Sequence, residues 1–443
     1  MKRKSIMPIP KQYCDRNNKG CVPAYILYDK RFAKAAEVFC TYAESIHDVV
    51  FKNVEGGIVL KYDKKLENEA YTIDCDESSI TVTASQHKGM NNALSCLLGL
   101  ISSDKGRISY DCCLIEDEPD VCYRTFMLDT ARYPHNISYL YKYVDLCYMN
   151  RLSYFQIHLT DNENFTLKLP AFPKIKGKYS KKQLSALAKY AEARGITIIP
   201  EINVPGHSRA LTYTYPEVFG KCDIMSASEN TFSALEEIFA YVHETFPNSP
   251  YIHIGGEEGR LSEWEKCKPS QAYMKEHGIE SVSELYAEYI HRVSDIVFAL
   301  GCTPIVWEGF AEEYNDRISK DVIVAAWESY YQTADRLVNS GFKIINASWV
   351  PLYIVCPTKY RSPKEILDWD IRTWHNWYEK SAAYPNGLML KEDEGEVIGA
   401  QLCAWGDNFV GADDPEELCQ QEYALVAERM PAFSERTWNA LKK

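Results

Sequence analysis

Four short segments concentrate the side chains of this sequence that can move protons. In HIGGEEG, Glu257 and Glu258 are neighbouring carboxylic acids behind two glycines. His207 sits in the Pro-Gly turn of NVPGHS, His158 and Asp161 bracket HLTD, and Asp129 and Arg132 bracket DTAR. Carboxylates and imidazoles act as general acids and bases when a pocket holds them beside a breaking bond. Trp307 and Trp327 are followed directly by Glu308 and Glu328, and Trp405 by Asp407 two residues on. Flat apolar walls next to acids suit a hydroxyl-bearing ring, whose apolar face stacks on them. Each feature also has a plainer reading. Two adjacent glutamates can open a surface helix, where the dipole favours anions. Arg132 can simply pair with Asp129. His207 can be a satisfied structural histidine, His158 reads as a packed histidine rather than a catalyst, and a lone tryptophan is more often core than pocket.

Placement tells against the plainer readings. From about residue 120, short apolar runs alternate with helical stretches: 124–129, 153–160, 196–202, 251–256, 303–309, 322–327, 343–348 and 397–405. Runs apolar on both faces are parallel strands buried on both sides, and eight of them make a TIM barrel. At their C-terminal ends stand Asp129 with Arg132, His158 with Asp161, Glu201 with His207, Glu257 with Glu258, Trp307 with Glu308, Trp327 with Glu328, and Trp405 with Asp407; Tyr353 follows the seventh. Catalytic residues of such barrels come from this rim. Consecutive strand residues face opposite ways, so Glu257 and Glu258 share a site only where the strand breaks, which Gly255 and Gly256 permit. Residues 1–118 read as a small α/β domain, with strands in 22–29 and after residue 56 and helices over 32–46 and 89–102. The expected fold is therefore α/β: a (β/α)8 barrel over 119–443 with a small N-terminal α/β domain.

Composition narrows the partners. The chain has 443 residues and a formal net charge of −13, which repels phosphate backbones and argues against nucleic acid. No apolar run is long enough to span a bilayer, so no membrane partner is expected. The 15 cysteines are scattered without CxxC pairs, a usage that suits a reducing compartment, and the protein is expected to be cytoplasmic. No EF-hand or HExxH pattern and no phosphate-binding glycine loop occurs, so no metal or cofactor is implied. The sequence assigns no oligomeric state.

RTFMLDTARYPHNISYLYKYVDLCYMNRLSYFQIHLTDN, GITIIPEINVPGHSRAL and HIGGEEG resemble, in combination and order, the catalytic barrel of glycoside hydrolase family 20. The resemblance runs from about 120 to 410, and AYTIDCDESSITVTASQHKGMNNALSCLLGLI before it is similar to the family's small N-terminal domain. It implies a retaining exo-β-N-acetylhexosaminidase acting on an oligosaccharide or glycoconjugate. In that chemistry the substrate's own 2-acetamido oxygen attacks the anomeric carbon, and its tethering supplies a high effective molarity. The resemblance makes Glu258 the general acid/base and Glu257 the carboxylate holding the acetamido N–H. His207 and Asp161 become the couple behind the acid, and Tyr353 the hydroxyl on the acetamido oxygen. Arg132 becomes the grip on neighbouring sugar hydroxyls, its planar fork suiting two of them. Trp307, Trp327 and Trp405 become the walls around the terminal sugar, with Asp407 at its outer hydroxyls.

Three positions depart from the family pattern. Glu257 stands where the family usually has Asp, a shift of about 1.5 Å in carboxylate reach, and an uncompensated offset of that order can cost ~100-fold in rate. Val355 replaces an acid, and Asp407 replaces a Glu. These two lie where outer hydroxyls are held, so a more open, less anionic O6 side and tolerance of 6-sulfated N-acetylglucosamine are expected. The Trp-rich segment 369–378 is read as rim rather than barrel packing. Two other functions stay in view. A catalytically impaired sugar-binding barrel is supported by the Glu257 departure but would not need the acid, and a chitinase-like hydrolase would carry a DxxDxDxE strand, which is absent.

Overall fold

The computed structural model describes residues 6–441. Its N-terminal part is a mixed seven-stranded sheet: β1 (Gln12–Pro23), β2 (Ile26–Tyr28), β3 (Ile58–Tyr62), β4 (Tyr71–Cys75), β5 (Ile80–Ala84), β6 (Ile101–Asp104) and β7 (Arg107–Asp117), in the order β1-β7-β4-β5-β3-β2 with β6 on β7. Two helices, Ala33–His47 and His87–Leu98, contribute buried apolar faces to the core of this sheet. The strand expected over 22–29 is two elements, and β1 was not anticipated. Its interior, Asp15 to Lys19, is polar and exposed and carries a register shift against β7, so no apolar alternation betrays it.

The second part is a closed parallel barrel. Its strands are β8 (Tyr123–Asp129), β9 (Tyr154–His158), β10 (Thr197–Val204), β11 (Tyr251–Gly255), β12 (Thr303–Trp307), β13 (Ile323–Ala326) and β14 (Lys343–Asn346). After them come β15 (Tyr353–Val355), β16 (Thr373–Trp374), β17 (Leu388–Met389) and β18 (Val397–Trp405). Pairing runs from β8 through β14 to β18, and β18 pairs with β8 to close the ring. All eight expected barrel strands are present. Short β15 was not expected as a strand; it adds to the upper end of β18, setting Val355 beside Trp405. β16 and β17 form a separate small hairpin within the long β14–β18 connection.

The strands are buried on both faces, as their composition requires: β8 and β9 have no exposed residue. Outward side chains pack on the helices. Inward ones, including Tyr123, Met127, Ile199, Ile305 and Ile345, fill the barrel, and the uppermost inward layer contains Trp307, Trp327, Tyr353 and Trp405. That layer is where filling stops and a cavity opens. The helices begin with local signals; Ser180, for example, caps Lys181–Ala193 in a reciprocal box with Gln183. No described helix is long and apolar enough to cross a membrane.

The seam between the two parts lies at the N-terminal ends of β8 and β9, away from the rim. Asp117 Oδ2 accepts from Tyr71 Oη (2.7 Å) and Arg151 Nη1 (3.1 Å), and its Oδ1 accepts from Trp438 Nε1 (3.0 Å) on the C-terminal helix Pro415–Trp438. The guanidiniums of Arg124 and Arg151 lie over the Trp438 ring at 5.0 and 4.6 Å. Three segments distant in sequence are thus locked by one carboxylate. Removing one partner of a buried pair leaves an uncompensated charge, at about 3–5 kcal/mol. Asp117→Ala should lower unfolding stability by about that amount in urea titrations, whereas Glu244→Ala, which loses only an exposed pair to Lys181, should change it by under about 1 kcal/mol.

Candidate active site

β11 ends at Gly255, and the chain then turns through left-handed backbone: φ is +71° at Gly255, +87° at Gly256 and +48° at Glu258. A strand would send Glu257 and Glu258 to opposite faces. This turn brings both to the mouth of the barrel, where they line one cavity of about 300 Å³ with Arg132, His207, the tryptophans and Tyr353. Gly255 is needed for a second reason. A β-carbon there would lie 2.0 Å from Asn203 Oδ1, and Asn203 Nδ2 donates to Glu257 Oε1 at 2.5 Å. The missing side chain lets Asn203 fix the carboxylate.

Behind Glu258 the charges alternate. Glu258 Oε2 lies 3.0 Å from His207 Nε2, and His207 Nδ1 lies 3.0 Å from Asp161 Oδ1. Both ring nitrogens face carboxylate oxygens, so the imidazolium, donating at both, is the form that satisfies them. Burial opposes that charge, but Asp161 and then Glu258 outweigh it and lift the His207 pKa to about 10. The same contact to His207 holds Glu258 below its ordinary value. Asp161 is held well below the usual carboxylate range: burial pushes it up, but His207, His158 and Arg132 together overcome this. Without a ligand, the proton therefore rests on His207. Glu258 has a side chain 49% exposed. A leaving group covering it would strip water and disfavour its ionised form, moving the proton from Nε2 to Oε2.

Glu257 is the opposite case. It is buried, and burial raises its pKa to about 7 against the lowering influence of His207, 3.8 Å away. Its Oε2 finds no hydrogen-bond partner among the described residues. The same holds for Tyr353 Oη and for Nε1 of Trp349, Trp377 and Trp405, all cavity-lining groups. Buried polar atoms are normally paired, and an unpaired one costs ~1–3 kcal/mol. One small cavity thus presents an unfilled acceptor and several unfilled donors.

Every residue to which the resemblance gave a role reaches this place. Arg132, His207, Glu257, Glu258, Trp307, Trp327, Tyr353, Trp405 and Asp407 line the cavity, and Asp161 stands behind His207. The pairing of Arg132 with Asp129 (2.8 Å) coexists with a contact to Asp161 (3.2 Å), so two carboxylates aim the guanidinium. Of the segment 369–378, Trp377 lines the cavity while Trp369 and Trp374 are buried packing. Sequence reasoning missed Asn203, Trp349, Thr358, Lys359 and Asn408. Asn203 lay within the quoted motif; the others sit on the turns and one-turn helices that follow β14, β15 and β18, whose course only the folded chain defines. Glu308, at a strand end, does not face the cavity. It accepts five backbone N–H bonds from Glu328 to Gln332, holding the loop that follows Trp327. Among the described residues no group of three or more His, Cys, Asp or Glu is arranged to hold a metal ion.

Comparison with known proteins gives this arrangement a lineage. Residues 122–441 match the model for the catalytic domain of glycosyl hydrolase family 20, and residues 29–118 match the model for domain 2 of that family. The chain belongs to glycosyl hydrolase family 20. It is 27% identical to a beta-hexosaminidase of Vibrio furnissii over 79% of its own length and 63% of that protein's, and 24% identical to the human beta-hexosaminidase subunit beta over 82% and 66%. The fold is shared with the family 20 exo beta-N-acetylglucosaminidase of Vibrio harveyi solved in complex with N-acetylglucosamine (TM-score 0.84, 22% identity, 99% of this chain and 74% of that one). It is shared too with the beta-N-acetylhexosaminidase of Bacteroides fragilis (TM-score 0.79, 21% identity, 99% and 92%).

The two perturbed groups set a pH window for a family 20 site of this geometry. Ionised, Glu257 offers only acceptors to a ligand N–H, and it gains that charge as pH rises through about 7. The His207–Glu258 pair must hold one proton, which is lost as pH rises through about 10. kcat/KM, which reports the free protein, should rise with pH through the first value and fall through the second. In Glu257→Gln the acid limb should vanish; an acid limb left in place would contradict its assignment to Glu257.

Proposed function

We propose that the protein is a retaining exo-β-N-acetylhexosaminidase that removes a terminal β-linked N-acetylglucosamine or N-acetylgalactosamine by substrate-assisted catalysis. The observation that carries this reading is the unfilled pair beside Glu258: the buried Glu257 Oε2, which can only accept when ionised, and the Tyr353 hydroxyl, which can donate. A 2-acetamido group offers the complementary N–H and C=O. With the N–H on Glu257 and the carbonyl oxygen on Tyr353, that oxygen is directed at the anomeric carbon. It attacks, the bond from that carbon to the leaving oxygen breaks, and Glu258 gives the leaving oxygen its proton. The positive oxazolinium that results keeps its N–H on the Glu257 carboxylate. Glu258 then takes a proton from water, the water oxygen bonds to the anomeric carbon, and the amide oxygen leaves, restoring the original configuration.

A pocket of about 300 Å³ walled by tryptophans fits one terminal ring better than a polymer. Asn203 fixes the longer Glu257 side chain, which supports working catalysis over an impaired sugar binder. We also assign the protein to a reducing compartment, on the strength of 15 cysteines that are all free thiols.

The outer rim supports a finer substrate reading. Val355 supplies no charge there, while Lys359 lines the same cavity with its ammonium 5.3 Å from the Trp377 ring centre. An O6 sulfate on that side would meet the Lys359 cation, with Asp407 opposing it. Glu258→Gln should lower turnover of a chromogenic N-acetylglucosaminide by about 10²–10⁴-fold with binding kept, and a substrate with a 2-hydroxyl in place of the acetamido group should not turn over. The 6-sulfated aryl glycoside should match or exceed the plain one, and Lys359→Met should lower kcat/KM for the sulfated substrate alone. Slower turnover of the sulfated substrate by the unaltered protein would remove the O6 reading, and turnover of the 2-hydroxy sugar would remove the mechanism.

A further inference from the structure

The acid machinery does not end at Asp161. Its second carboxylate oxygen, Oδ2, lies 3.1 Å from Nε2 of His158, and the other nitrogen of that ring, Nδ1, lies 3.0 Å from Glu201 Oε1. The same Glu201 oxygen accepts from Trp307 Nε1 at 2.8 Å, and Glu201 Oε2 accepts from Gln156 Nε2 at 2.8 Å. His158, Glu201 and Gln156 are wholly buried and Trp307 almost so. None of the first three lines the cavity, and hydrolysis as described above does not use them.

We infer that Glu201 and His158 are positioning residues that join the sugar-facing Trp307 to the Asp161–His207–Glu258 proton row, fixing the indole and setting how readily His207 releases its proton. This rests on the hydrolase reading of that row. The geometry carries it in three steps. First, a fully buried carboxylate needs a cation or several donors. Glu201 has two N–H donors and one imidazole within 3.0 Å, while the next ring, His253, stands 3.7 Å off. Second, His253 cannot be that cation: its Nδ1 accepts from the Gly255 amide at 3.1 Å and so carries no proton. His158 has only carboxylate oxygens at both nitrogens, and the imidazolium is the form that suits them, although its Nδ1 meets Glu201 off the axis of a straight hydrogen bond. Burial opposes charge on His158, but Glu201 and Asp161 outweigh it. Third, Asp161 then lies between two imidazoliums, with Arg132 also on Oδ2. The charge on His158 repels that on His207 across the shared carboxylate. It makes His207 a weaker base than Asp161 and Glu258 alone would, so the proton passes more easily to Glu258.

The groups facing this step are Asp161 and Asp129 from the rim, Glu257 and Glu258 from the cavity, Glu201 and His253 from inside the barrel, and Arg132 above. Glu201→Gln keeps an oxygen for the Trp307 N–H but removes the counter-charge, so His158 becomes neutral while Asp161 stays ionised. With the nearer cation gone, His207 should hold its proton more tightly. The alkaline limb of kcat/KM should move up by about one pH unit or more and kcat should fall about tenfold, with KM nearly unchanged because the indole keeps its acceptor. Glu201→Ala should also raise KM, since Trp307 then loses its anchor. A merely structural Glu201 would lower stability and active fraction without moving a pH limb, and an unmoved limb in a folded Glu201→Gln protein would overturn the inference.

Because a buried partner is being altered, the unaltered protein supplies the second test. In ¹⁵N spectra of histidine-labelled protein, His158 should be doubly protonated from pH 6 to 9 and His253 neutral. A neutral His158 over that range would overturn the inference whatever the variants do. An imidazolium at His158 in a protein that hydrolyses no hexosaminide would support the charge row and sink only the hydrolase reading.

Discussion

Two neighbouring glutamates must reach one cavity from the end of one strand, and everything else at the site follows from how the backbone achieves it. Left-handed conformations at Gly255 and Gly256 are open to glycine alone at no steric cost. At Glu258, and at His207 (φ +47°) across from it, the same conformation is held by non-glycine residues, at roughly 1–3 kcal/mol each. The surrounding contacts over-determine it: Glu258 is tied to His207, His207 to Asp161, and Glu257 to Asn203. Strain is tolerated here because the carboxylates could not otherwise converge.

Once converged, they are differentiated by environment. Glu257 is buried beside an amide and drifts toward neutrality; Glu258 is half in solvent beside an imidazolium and stays ionised until something covers it. Two identical side chains at adjacent positions thereby acquire different acidities, and in the proposed mechanism different tasks, one holding the ligand N–H and the other passing a proton. The row of alternating charge from Arg132 through Asp161 and His207 to Glu258 is preorganised, so no large dipole has to reorient during reaction. What remains unpaired, Glu257 Oε2, Tyr353 Oη and three indole N–H groups, is what a ligand must complete.

Much of this was legible in the sequence because barrels announce themselves twice, in strands apolar on both faces and in chemistry collected at their C-terminal ends. The eight strands and the convergence of Arg132, Asp161, His207, Glu257, Glu258, Tyr353, Asp407 and the tryptophans could be read that way. Elements lacking that signature could not. β1 is polar through its middle, and β15 exists only because β18 offers an edge to it. Lys359 comes to the cavity on a turn and Trp349 on a one-turn helix, where residue order says little about direction. Strand-end position misled at Glu308, whose carboxylate turns away to cap backbone amides; His158, read as a packed histidine, is buried and also touches Asp161. Periodicity locates a residue on an element but does not choose its rotamer.

A crystal structure with a thiazoline analogue of N-acetylglucosamine bound is the most direct test, since that ligand mimics the ring the acetamido group would close. The ring nitrogen should sit about 2.7–3.0 Å from Glu257 Oε2, with the Tyr353 hydroxyl beside the sulfur and Glu258 facing the anomeric carbon. An analogue seated with its nitrogen turned away from Glu257, or with Glu258 out of reach of the anomeric centre, would contradict the whole scheme.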